Sequence, residues 1–177
     1  MVSTGRRLNR VALDSMLLGA AMMLSYLEAV LPLSFVVPIP GVKLGLANLA
    51  VMIVFFECGP IDAFAVSSAR VLLSGLLFGS PVSLAISGAG AASAYIGLVV
   101  YKYLLSGFLS VLSASVISAA LHALGQLAAA SFTVSDLSVF SYSPVMLISS
   151  VLTGALNGYI CILVLKKLFK LEGNLHA

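Results

Sequence analysis

The chain has 177 residues and a mass of 18.3 kDa; 61% of its residues are hydrophobic and only 8% are charged. Soluble domains are about 45–50% apolar and about 25% charged, and a chain with so few charges cannot keep a globular surface wet and unassociated. A bilayer is the solvent this composition needs, which excludes a disordered chain, a coiled coil and a basic nucleic-acid module; the pI near 9.0 rests on only nine basic residues.

A spanning helix needs about 20 mostly apolar residues, and the charges and Pro/Gly clusters divide the chain accordingly. The first span is expected at Leu13–Leu31, ended by Pro32 and a Pro-rich stretch reaching Gly41, where Pro38 and Pro40 forbid a continuous helix. A short second span, Leu44–Phe56, ends at Glu57-Cys58-Gly59-Pro60. The third runs Ile61–Phe78 and breaks at Gly79-Ser80-Pro81; the fourth, Val82–Val100, ends at Tyr101-Lys102-Tyr103. The fifth is Phe108–Phe132, followed by a polar loop from Thr133 to Ser143; the sixth is Pro144–Leu165, stopped by Lys166 and Lys167. The expected fold is therefore all-α and integral to the membrane, with six spans in a single domain over residues 1–177. A cleaved signal peptide fits poorly, because its apolar region would be too long and would carry Asp14 and Glu28.

Orientation follows from Lys and Arg. With a cytoplasmic N-terminus, the inner segments hold Arg6, Arg7, Arg10, Lys102, Lys166, Lys167 and Lys170, while the outer ones hold only Lys43. Both termini are thus placed in the cytoplasm, in a multi-pass protein of the cell membrane.

An ionised residue at mid-bilayer costs about 2.5–3.5 kcal/mol on insertion scales, so Arg70, near the middle of the third span, must face the interior. Its counterpart is an anionic ligand, backbone carbonyls, or an acid such as Glu28. In the fifth span Ser110, Ala114, Ser118, His122 and Gln126 recur every four residues and form one helical row. The first three are small and suit close packing. His122 and Gln126 are too polar for lipid, and each both donates and accepts hydrogen bonds, which suits a ring, a carbonyl or a phosphate, or else an interhelical bond. No further ligands accompany this pair, so no metal is expected. Gly41 and Gly45 allow close backbone approach before the second helix, whose N-terminus favours negative charge. Lys43 there fits an anion-holding role or simple snorkelling, and Asn48 extends the same polar surface. Asn157 and Ser87 are weaker ligand candidates. Small residues at spacing four, Ser15 with Gly19 and Ala21 with Ser25, suit internal packing or docking of a partner membrane subunit.

Several chemistries are missing. No Gly-x4-Gly-Lys-Ser/Thr loop is present to hydrolyse ATP, and Asp14, Asp62 and Asp136 do not form the cluster that a magnesium-dependent prenyltransferase needs. Cys58 and Cys161 have neither disulfide-framework nor zinc spacing. No catalytic residue, cofactor or enzymatic activity is expected.

Pro40-Gly-Val-Lys-Leu-Gly-Leu-Ala-Asn48, Arg70-Val-Leu-Leu-Ser-Gly-Leu-Leu-Phe-Gly79, Ser87-Gly-Ala-Gly-Ala and His122-Ala-Leu-Gly-Gln126 resemble the Gx transporter family, also labelled heptaprenyl diphosphate synthase component I. That family more usually has His-Asn before the Gly-Gln; Ala123 stands in the Asn place here. The family is similar to the substrate-binding S components of energy-coupling-factor (ECF) importers. The resemblance implies a pocket opening outward, capped by the loop between the first two helices and lined largely by helices four to six. It also implies a transmembrane coupling subunit and two cytoplasmic ATPases as partners, with a small-molecule substrate and no nucleic acid. Epitope tags on the two termini should be digested together from the cytoplasmic side of sealed vesicles, and digestion of only one from that side would break this topology.

Overall fold

A computed structural model describes residues 2–30 and 45–175, with side chains described for 11–30 and 45–168. Among the described residues every regular element is helical: α1 (Val2–Val30), α2 (Asn48–Glu57), α3 (Pro60–Phe78), α4 (Pro81–Val100), α5 (Val111–Val134) and α6 (Ser143–Leu175). A π-helical turn, Tyr101–Leu105, prolongs α4, and a 3-10 segment, Leu137–Tyr142, leads into α6.

Among the described residues, five helical stretches are long and apolar enough to cross a membrane: Val11–Val30, Pro60–Phe78, Pro81–Leu105, Val111–Val134 and Leu137–Leu168. Their outer faces are lined with large apolar groups such as Met23, Leu76, Ile96, Phe132 and Leu152, all exposed. So much contiguous apolar surface is stable only in lipid. The chain is a multi-pass membrane protein.

The turns are built from the punctuation in the sequence. Gly59, at φ 116°, and Pro60 at the first turn of α3 reverse the chain after α2, with the Cys58 and Gly59 amides both donating to Val54 O. Ser80 caps α4 by accepting from the Ser83 amide at 3.2 Å, with Pro81 opening the helix. Asp136 accepts from the amide and hydroxyl of Ser138, which hold its carboxyl below the usual carboxylate range.

α2 departs from expectation. The sequence predicts a span from Leu44, but the helix begins only at Asn48 and has ten residues, seven of them buried. At 1.5 Å per residue it is about 15 Å long, about half of a 30 Å hydrocarbon layer. Being apolar all round, it is a core helix. Leu17, Ala21, Ala63, Val66, Leu98 and Cys161 surround it. A second apolar cluster, including Ile86, Leu127, Ala130 and Met146, lies toward the other end of α4, α5 and α6. Along those helices the buried polar side chains Ser87, Ser118, His122 and Asn157 fall largely between the two clusters.

α5 is the central element, packed along α4 on one side and α6 on the other. Glycines permit this closeness: a Cβ on Gly154 would lie 2.9 Å from Val116 Cα, and one on Gly158 2.9 Å from Ser115 Cβ.

Candidate functional site

The polar groups converge where α2 stops short. Gly45, at φ 84°, turns the chain into α2, and its carbonyl accepts from Asn157 Nδ2 of α6 at 3.2 Å. The Leu46 amide donates to Glu28 Oε1 of α1 at 2.6 Å. Asn48 Nδ2 donates to Ser118 Oγ of α5 at 3.1 Å, and Ser118 Oγ donates to Ala94 O of α4 at 3.1 Å. Three side chains from three helices thus fasten Gly45, Leu46 and Asn48. Each of Glu28, Asn48, Ser118 and Asn157 is buried, so these bonds form away from competing water and are costly to leave unmade.

His122 stands in the same layer. A Cβ on Gly45 would meet its Cδ2 at 3.5 Å, and one on Gly90 would meet its Cε1 at 3.0 Å and Gln126 Cγ at 2.7 Å. The imidazole therefore occupies a slot between two glycine backbones, with Gln126 one turn further along α5. Both side chains are buried and both engage other groups of the protein. The expected row on α5 is realised: Ser110 caps the helix, and Ala114, Ser118, His122 and Gln126 are all buried.

Arg70 is 3% exposed, and its charge interacts with that of Glu28, also 3% exposed. Its Nε and Nη2 donate to nothing among the described residues. Ser87 Oγ on α4 and Ser25 Oγ on α1 are likewise buried without a hydrogen-bond partner there.

The sequence-derived candidates therefore separate into groups. Asn48, His122, Gln126 and Asn157 come together around Gly45–Asn48; Arg70 joins them through Glu28. Ser87 is buried on the inner side of α4. Lys43 lies outside the described residues. The docking set needs correction: Ser15 and Gly19 are exposed, but Ala21 and Ser25 are 0% exposed and packed inside. At 100° per residue the two rows lie about 120° apart around α1, so they cannot share one docking face.

Glu28 is the residue whose role the sequence least reveals. It is legible as an acid that must face inward, but its bond to the Leu46 amide depends on where α2 starts. Two concavities lie elsewhere. A cleft of about 570 Å³ between α3 and α4 is lined by Phe64, Ser67, Val71, Gly88, Ala91 and Tyr95 among others, and includes neither Arg70 nor His122. Another of about 620 Å³ lies beside the 3-10 segment, near Asp136. At the other end of the helices the ligand atoms of Asp14, Cys58 and Asp62 lie within 4.8 Å of one another. The sequence, with these residues far apart, does not show this convergence; Asp14 and Cys58 each engage other groups.

The model of the heptaprenyl diphosphate synthase component I family matches residues 17–164. The chain belongs to that family. The match takes in every residue of the polar layer, from Glu28 to Asn157. No curated protein and no solved structure matches this family member.

Gly90→Ala should lower stability by about 1–3 kcal/mol through overpacking. In a His122→Ala background part of that loss should vanish, a coupling of at least about 0.5 kcal/mol in a double-mutant cycle of denaturation in detergent. Strict additivity would show that the ring is not seated against Gly90.

Proposed function

We propose that this chain is the substrate-binding S component of an ECF-type importer in the cytoplasmic membrane. It takes up a vitamin-like, anionic or electron-rich metabolite from outside, such as a flavin or a quinone or isoprenoid precursor. One observation carries this: hydrophilic side chains from α1, α5 and α6 are gathered in a membrane protein around the end of a half-length helix. Interrupted helices near mid-bilayer, with polar side chains beside them, are where membrane transporters hold solutes.

In this function His122 and Gln126 meet a ring or carbonyl, and Lys43 and Asn48 approach a polar or anionic end. Asn157 positions Gly45, and Ser87 and Arg70 add depth to the site. Energy comes from a coupling subunit with two cytoplasmic ATPases, since the chain has no phosphate loop of its own. The exposed Ser15 and Gly19 side of α1 suits close approach of that subunit. Nothing in the residue set supplies catalysis.

The family's description favours a second reading, a non-catalytic membrane subunit of a polyprenyl diphosphate synthase. Prenyltransferase activity that co-purifies with the chain and disappears on its removal would support it. A solitary carrier would instead move solute in liposomes containing this chain alone.

Proteoliposomes holding only this chain should bind one labelled probe among a flavin, a quinone precursor and a prenyl diphosphate, without transporting it. Transport should begin once the coupling subunit and ATPases are added. Lys43→Ala and His122→Ala should each weaken binding by about tenfold, about 1.4 kcal/mol, with a smaller effect on the thermal stability of the unliganded protein. Lost stability with unchanged affinity would assign both residues a structural part alone.

A further inference from the structure

Arg70 belongs to the buried face of α3, with Ala63, Val66, Ser67, Val71 and Ser74. Its guanidinium is 3% exposed, yet Nε and Nη2 have no hydrogen-bond acceptor among the described residues. These two nitrogens share one edge of the planar group, and their N–H bonds project from it side by side. The donors without acceptors thus make up one complete edge of the fork. Ser74 Oγ donates to Val71 O at 3.3 Å within its own helix. The charge of Glu28 interacts with that of Arg70, but its Oε1 bonds the Leu46 amide and its carboxylate accepts nothing from this edge. The Phe64 and Tyr95 ring centroids lie 5.5 Å apart, and a Cβ on Gly88 would lie 3.7 Å from Val71 Cγ1. These two contacts set α3 antiparallel to α4 with Arg70 level with Ala89. That depth falls between Ser87, whose buried Oγ has no hydrogen-bond partner among the described residues, and Gly90, against which the His122 ring is seated.

We propose that the Nε–Nη2 edge of Arg70 is an oxyanion subsite, which holds side-on a carboxylate or phosphate group of the molecule bound in the polar layer. The inference rests on the solute-binding function above and names the group that function recognises and its seat. A buried guanidinium stays protonated, and it is expensive inside a membrane unless acceptors and negative charge meet it. Two oxygens of one oxyanion meet both N–H donors at once, and each such charge-assisted bond is about twice as strong as a neutral one. A neutral carbonyl brings one oxygen and no charge. The edge therefore selects acids over their amides, esters or alcohols. His122, at the same depth, is left to the ring or carbonyl of the same molecule.

The test uses the full chain in phosphatidylcholine nanodiscs, titrated with inorganic phosphate against chloride at constant ionic strength. A parallel arm replaces part of the lipid with phosphatidylglycerol and omits phosphate. Phosphate should raise the melting temperature of the wild type. Arg70→Lys keeps the charge but offers a compact ammonium in place of the fork, so the same rise should need at least about tenfold more phosphate. Arg70→Gln, with neither charge nor fork, should show no rise; where it does not fold, Arg70→Lys decides alone. A wild-type rise with phosphate that weakens in Arg70→Lys and vanishes in Arg70→Gln supports the subsite with a free solute anion as its occupant. A rise confined to phosphatidylglycerol, weakened in the same variants, supports it with a lipid headgroup there instead. No rise in either arm overturns the subsite, as does a rise that Arg70→Lys or Arg70→Gln retains in full. The labelled prenyl diphosphate probe separates the subsite from the function it rests on. Binding of that probe to Arg70→Lys as tightly as to the wild type overturns the subsite but leaves solute binding standing. An Arg70-dependent phosphate rise without binding of any solute probe does the reverse.

Discussion

Backbone that leaves a helix inside hydrocarbon must find its hydrogen bonds within the protein, and this requirement organises the molecule around Gly45–Asn48. α2 is about half as long as the hydrocarbon layer is thick, and the side chains that meet the residues leading into it are buried. Glu28 supplies the acceptor for Leu46 N, Asn157 the donor for Gly45 O, and Asn48 anchors to Ser118. Each partner comes from a different helix. Removing any one exposes an unsatisfied group in a medium that offers no substitute.

The same need explains why polar residues are tolerated in the long spans. Ser118 on α5 and Asn157 on α6 sit between the apolar cluster around α2 and the cluster at the far end of α4–α6. Glycines bring the backbones close enough to reach across: Gly90 and Gly45 admit the His122 ring, and Gly154 and Gly158 seat α6 on α5. Arg70 differs from the other members. Its charge interacts with that of Glu28, and its Nε and Nη2 have no hydrogen-bond acceptor among the described residues.

The spans were legible because hydropathy and the Pro/Gly breaks at Pro32, Gly59-Pro60 and Ser80-Pro81 are local signals. Where α2 begins was not. Gly45-Leu46-Ala47 is as apolar as a helix would be, and contacts from Glu28 and Asn157 hold this non-helical entry. Arg70 and the row from Ala114 to Gln126 were legible as inward-facing, since lipid would not accept their polar members and spacing four defines a helical face. Their partners depend on helix neighbours that no local pattern encodes. The small-residue rows were open for a related reason: small residues every fourth position mark close packing without saying whether the neighbour belongs to the same chain, and Ala21 and Ser25 turn out to pack internally.

Family membership and the multi-pass helical fold leave the question of what the polar layer holds. Native mass spectrometry of the protein released gently from its own membranes addresses this directly. A noncovalent small-molecule adduct, lost in His122→Ala or Arg70→Gln protein, is the expected result. A bare polypeptide mass that stays bare after incubation with a total metabolite extract would contradict solute binding and leave the polar layer a structural fastening alone.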